Sequence, residues 1–246
     1  YRCADCGIQV SPNRIKTFMY CEYFCKYFCR CCHVSNKSYI PAYIIRNLDF
    51  RTTFEVSKKA KNFLEKIFNE PLITLESLNP QLFQDQSNVF SRIKKLRFKL
   101  NNSRSYINSC RFAKDLKDRV YNEFDDFIIN DQHVYSIQTL FKIKKSTLFY
   151  DILKDSVNSI VIHIKTCELC SQQGYICGFC NKNDLLYPFE LEKVEKCPNC
   201  LACYHRACFR SPENCPRCLR KRNRVKSNAS NSGSFNINNS AFNNQN

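Results

Sequence analysis

The segment that decides the fold reads Cys177-Gly178-Phe179-Cys180, then sixteen residues, Cys197-Pro198-Asn199-Cys200, then four, His205-Arg206-Ala207-Cys208, then six, Cys215-Pro216-Arg217-Cys218. Each pair presents two soft donors to one metal, and eight donors make two tetrahedra. Assigning alternate pairs to one ion predicts a cross-brace. Cys177, Cys180, His205 and Cys208 hold the first zinc, and Cys197, Cys200, Cys215 and Cys218 the second. All four positions at each ion are then protein atoms. No site remains for an activated water, so the zincs are structural and the chain is not expected to be an enzyme.

Working outward, His163, Cys167, Cys170 and Cys203 are the donors left over in the same region, and a third tetrahedron over these four is expected by counting. At the other end, Cys3-x2-Cys6 with Cys29-x2-Cys32 predicts a treble-clef, FYVE-like zinc module. About four structural zinc ions are therefore expected. Cys21, Cys25, Cys31, His33 and Cys110 are surplus, and a surplus cysteine packs well as a small apolar residue.

The chain has 246 residues and 18 cysteines. C-x2-C spacing repeated along the chain points to metal in a reducing compartment rather than to a disulfide framework. No stretch approaches 18 apolar residues and no signal peptide is visible, so a membrane-spanning or secreted protein is not expected. Because the chain opens at Tyr1, two residues before a knuckle, it reads as a domain cut from a longer parent chain. The formal charge is +16. With four zinc ions and fourteen thiolates it falls to roughly +10. That balance favours acidic partners, namely a phosphoinositide membrane, nucleic acid or an acidic protein face.

Composition divides the chain into an N-terminal zinc module (1–50), a helical middle (51–162), a C-terminal multi-zinc module (163–222) and an Asn/Ser-rich disordered tail (223–246). The predicted fold class is α-rich with small β elements. In the middle, Val89, Ile93, Leu96 and Leu100 follow helical spacing, and Tyr106, Cys110 and Ala113 are read as continuing that stripe. Ser136 and Ser146 are expected N-caps, the second opening a helix that ends near His163. The segment 72–79, between Pro71 and Pro80, is expected to be a connector, and 122–131 an exposed acidic turn. Arg92, Lys94, Lys95, Arg97 and Lys99 lie on the long helix without an acidic neighbour. They are candidate contacts for a membrane or an acidic partner, against the alternative of a solvated face.

Other double-zinc modules fit less well. A RING ligand belongs at position 211, which is Ser211. A PHD-type methyl-lysine reader favours Trp, and the chain has none. The basic run of a lipid-binding FYVE finger is absent around Lys196-Cys197-Pro198. An E3 ubiquitin ligase and a basic nucleic-acid-binding zinc protein remain as alternatives, nucleic acid being the weaker partner.

Several strings together resemble the Rubicon homology domain family. They are Tyr27-Phe28-Cys29-Arg30-Cys31-Cys32-His33, Ile40-Pro41-Ala42, Leu48-Asp49-Phe50, Cys110-Arg111-Phe112-Ala113, Gly174-Tyr175-Ile176-Cys177-Gly178-Phe179-Cys180 and Ala202-Cys203-Tyr204-His205-Arg206-Ala207-Cys208-Phe209. The resemblance runs from residue 1 to about 222. It implies a cytoplasmic adaptor domain, peripheral on late endosomes, lysosomes or autophagosomes, that binds a late-endosomal and lysosomal Rab GTPase in its GTP form. Autophagosome maturation and endosome-to-lysosome traffic would be the processes regulated. The chain departs from the family where Leu48 replaces a common Trp and Cys25 a common Gly.

Overall fold

A computed structural model describes residues 2–180 and 182–231, with side chains described as far as residue 224. Contacts divide the chain into two compact units, Tyr1–Cys167 and Glu168–Asn246.

In the first unit the 3-10 turn Pro12–Thr17 leads into the hairpin β1 (Met19–Cys21) and β2 (Lys26–Phe28), paired Met19 to Phe28 and Cys21 to Lys26. Strand β3 (Asn36–Ser38) follows, then helix α1 (Pro41–Asn47), which starts on a proline where no amide proton is needed. Strand β4 (Phe54–Val56) closes on β3. Ser57 then caps helix α2 (Lys58–Ile67), its hydroxyl accepting from the Ala60 amide at 3.3 Å. One face of α2, Ala60 and Leu64, packs into a core with Cys3, Cys21, Phe28 and Val56.

The segment 72–79 is more than a connector. It forms strand β5 (Ile73–Thr74) and the helical turn α3 (Leu75–Leu78). The long helix α4 (Val89–Ser109) is capped by Asn88, whose side chain accepts from the Phe90 amide at 3.0 Å. It stops at Ser109, and Cys110 leaves the helix in extended conformation, so the expected continuation to Ala113 does not occur. Helices α5 (Lys114–Glu123) and α6 (Asp126–Asn130) come next. The expected acidic turn over 122–131 is therefore mostly helix, with Ile128 and Ile129 buried.

Strand β6 (Val134–Tyr135) pairs with β5, Ile73 facing Tyr135. Ser136 caps α7 (Ile137–Lys145) as predicted, accepting from the Thr139 amide at 3.1 Å. Helix α8 (Leu148–Thr166) buries Leu153, Val157, Ile160 and Ile164. The Ser146 hydroxyl accepts from the Leu148 amide at 3.0 Å, one residue earlier than an ordinary cap, and Thr147 takes the N-cap position. Helices α4 and α8 lie side by side and run in the same direction. Arg92 stacks on Tyr150 near their starts, and Cys110 meets Cys167 at their ends.

The second unit contains the turn α9 (Glu168–Ser171), the hairpin of β7 (Val194–Lys196) with β8 (Cys203–His205), and helix α10 (Pro216–Asn231). Its core gathers Leu186, Val194, Ala202, Cys203 and Tyr204 around buried cysteines. The tail expected to be disordered from 223 is helical as far as Asn231, and 232–246 lie outside the described residues. Among the described residues, no helix is long and apolar enough to cross a membrane.

Candidate metal centres

The N-terminal group is built by two tight turns and a hairpin. Gly7, at φ +71°, donates its amide to the Cys3 carbonyl at 3.1 Å, and the left-handed backbone there closes the first knuckle. Strand β2 delivers Cys29, whose amide donates to Cys3 Sγ at 3.3 Å. Cys6 Sγ and Cys29 Sγ are 3.6 Å apart. The four donors Cys3, Cys6, Cys29 and Cys32 lie within 4.8 Å of one another.

In the second unit the alternate pairs come together, Cys177 and Cys180 with His205 and Cys208, and Cys197 and Cys200 with Cys215 and Cys218. Sulfur separations are 3.7 Å for Cys197–Cys218 and 3.5 Å for Cys200–Cys215. Strand β8 ends on His205, so its ring is fixed by the hairpin. Nδ1 lies 3.3 Å from Cys180 Sγ, and Nε2 donates to Asp184 Oδ2 at 2.9 Å. A carboxylate behind a histidine selects the tautomer and leaves the other nitrogen free to bind metal. Sequence reasoning missed Asp184. Its only signal was a carboxylate four residues after a knuckle.

The third group differs from expectation. His163 and Cys167, from the last turn of α8 and the residue after it, meet Cys110 in the first unit, with ligand atoms within 4.8 Å. Cys203 is not among them. It sits on β8 in the core of the second unit, 1% exposed, and burial pushes its thiol up to about 11. The counting argument failed because Cys110, alone in a cysteine-poor stretch, reads as a buried apolar residue, whereas Cys203 looks available beside Cys200. The chain turn that ends α4 is what brings Cys110 to α8. Cys170 follows Cys167 at knuckle spacing and is buried at the start of the second unit.

A zinc–sulfur distance of 2.3 Å makes a tetrahedral edge of about 3.8 Å between sulfurs. The observed 3.5–3.7 Å separations match that edge. They exceed a disulfide bond of about 2.05 Å, and no disulfide joins the eighteen cysteines. The electrostatics agree. For Cys3, burial opposes ionisation, but the amides of Cys29, Asp5 and Cys6 bring its thiol down to about 6. For Cys215, burial is again overcome, here by the Tyr204 hydroxyl and the Cys218 amide, to about 6. Their neighbours move the other way. Burial and adjacent cysteines push Cys218 up to about 12 and Cys32 strongly upward. One thiolate forms readily in such a group, and the next needs a cation to offset the repulsion. The residues present therefore suit a divalent ion at each position.

The proposed basic face is reduced by packing. Arg97 is fully buried. Its guanidinium donates to the carbonyls of Phe127 at 3.1 Å, Ile128 at 3.4 Å and Asp131, and stacks 4.4 Å from the centroid of the Tyr135 ring. It closes the C-terminal end of α6 and cannot touch a membrane or partner. Lys94 is ion-paired to Glu76, Lys99 is half-buried, and only Arg92 and Lys95 of the five are exposed.

Helix-rich packing with four Cys/His groups able to hold metal ions defines a domain of the cysteine-cluster class. The chain belongs to the Rubicon Homology Domain family, whose model matches residues 19–223. It is 38% identical over 89% of its length to the mouse Run domain Beclin-1-interacting and cysteine-rich domain-containing protein, covering 23% of that protein. It is 36% identical over 89% of its length to the human protein associated with UVRAG as autophagy enhancer, covering 32% of it. The human pleckstrin homology domain-containing family M member 3 is 34% identical over 90% of this chain, which covers 28% of it. The chain thus spans about a quarter to a third of these relatives.

Proposed function

We propose that this chain is a zinc-stapled adaptor domain that docks a GTP-loaded Rab GTPase of late endosomes and lysosomes, and so serves autophagosome maturation and endosome–lysosome traffic. The observation that carries the reading is family membership over residues 19–223, in a chain with four Cys/His groups able to hold metal ions. Two relatives bear names that tie them to Beclin-1 and to UVRAG in autophagy. An adaptor role in the same process follows for this domain.

Zinc supplies folding free energy here, on the order of 10 kcal/mol per structural site. Cys3, Cys6, Cys29 and Cys32 would hold one ion in a treble-clef arrangement. Cys177, Cys180, His205 and Cys208, with Cys197, Cys200, Cys215 and Cys218, would hold two as a cross-brace. Cys110, His163 and Cys167 would hold the fourth, Cys170 completing it at knuckle spacing. Asp184 keeps the His205 proton on Nε2, so Nδ1 is the donor.

Pull-down with the late-endosomal Rab GTPase tests the partner. Retention of the GTP-loaded form over the GDP-loaded form supports the reading, and equal or absent retention of both overturns it.

A further inference from the structure

The N-terminal part of the first unit carries a groove of about 610 Å³ lined by Asp5, Tyr23, Phe24, Lys58, Lys59, Asn62, Phe63 and Lys66. Its floor is aromatic. The Tyr23 ring lies 5.1 Å from Phe24 and 5.9 Å from Phe63, and Phe63 is 45% exposed. The rim is basic. Of its three lysines only Lys59 is paired, to Asp5 at 3.7 Å; among the described residues Lys58 and Lys66 have no ion pair. The other face of α2, through Ala60 and Leu64, is committed to the core, so the groove face is not needed to hold the helix.

We infer that this groove is a docking site for an acidic segment of a partner protein, one that lays a single aromatic or branched aliphatic side chain over the paired Tyr23 and Phe63 rings and sets carboxylates against Lys58 and Lys66. Charge complementarity selects the sign of the ligand, since three cations face one carboxylate that is already paired. Shape selects a peptide over a bilayer. These rings line a shallow groove of about 610 Å³, room for a side chain together with the backbone that carries it. Asn62 on the rim offers both a donor and an acceptor to a peptide backbone. The inference stands apart from the GTPase reading.

The test uses the zinc-loaded 246-residue chain. The probes are fluorescein-labelled peptides of aspartate and glycine with one central position occupied by Phe, Trp, Leu or Ala, read by anisotropy. At least one of the three large apolar residues should bind tenfold or more tightly than Ala, with affinity falling as salt rises. Phe63→Ala and the pair Lys58→Glu/Lys66→Glu should each weaken that peptide tenfold or more while keeping the unfolding midpoint, because all three side chains are exposed. Lys66→Glu alone provides the reading should the pair fail to fold. Binding that ignores the central residue, binding unchanged in the variants, or no saturable binding to any peptide overturns the inference. So does sedimentation with phosphatidylserine vesicles, or self-association, that the same variants abolish while peptide binding is absent.

Discussion

Cys110 Sγ lies 3.7 Å from Cys167 Sγ, although 57 residues separate them in the chain. The contact joins the ends of α4 and α8, two helices already packed along their length, and so gathers candidate metal donors where the two helix ends meet. It also puts Cys110 in the place that counting the leftover donors assigned to Cys203.

Native mass spectrometry separates the two. Cys110→Ala should lower the metal count from four to three, whereas Cys203→Ala should retain four and cost roughly 1 kcal/mol of stability as an ordinary core truncation. A loss of metal on Cys203→Ala and not on Cys110→Ala would reverse the assignment.

Asp184→Ala removes the acceptor that receives the His205 Nε2 proton, which Asn would keep through its amide oxygen. Competition with a chelator should show one ion of the four released 10- to 100-fold more readily, the usual effect of losing the group behind a ligating histidine. Uniform release of all ions would show that Asp184 does nothing for this one.

Arg97→Met fills much of the same space while leaving the carbonyls of Phe127, Ile128 and Asp131 without their donor. Urea unfolding should report a loss of about 3 kcal/mol, as for a buried charged group that serves several acceptors. Vesicle binding should not change, because the side chain never reaches the surface. Lys95→Glu should do the reverse, altering any association with anionic vesicles at almost no cost in stability.

Glu76 is held below the usual carboxylate range, chiefly by Lys94 and secondarily by His133. Because the folded value is depressed, its contribution is present above the unfolded value near 4.5 and is lost as pH falls through the lower folded value. The side chain is 39% exposed, so about 0.5 kcal/mol is expected. A double-mutant cycle of Glu76→Gln and Lys94→Gln should give that coupling in full at pH 7 and progressively less as pH falls below the unfolded value near 4.5. A coupling independent of pH would show that the pair acts through packing.

How much of this was legible beforehand depends on range. Cys177 to Cys218 could be read because both the pairs and the intervals between them lie within one short segment, and the Ser136 cap could be read because its partner is three residues away. Arg97 was misplaced because helical phase assigns a charged residue to solvent unless an acceptor is visible. Its acceptors are carbonyls at the end of α6, thirty or more positions along, which no side-chain pattern records. The same blindness hid Cys110. Asp184 escaped notice because a carboxylate near a cysteine pair is common, and only the hairpin that turns His205 toward it makes it different.

The four donor groups also differ in how much chain each must gather. Representative cross-links close 26 residues between Cys3 and Cys29, 25 between Cys180 and His205, and 21 between Cys197 and Cys218, against 57 between Cys110 and Cys167. Closure entropy grows slowly with length, so the longer span costs only about 0.7 kcal/mol more. The delay comes rather from waiting, since α4 and α8 must both exist before their ends can meet. During synthesis the Cys3–Cys32 group would be complete first, whereas the clasp between α4 and α8, although its donors precede residues 177–218 in the chain, would still have to wait for the two helices to pack. In a cell short of zinc, the species that accumulates would be one with its local knuckles loaded and that clasp open.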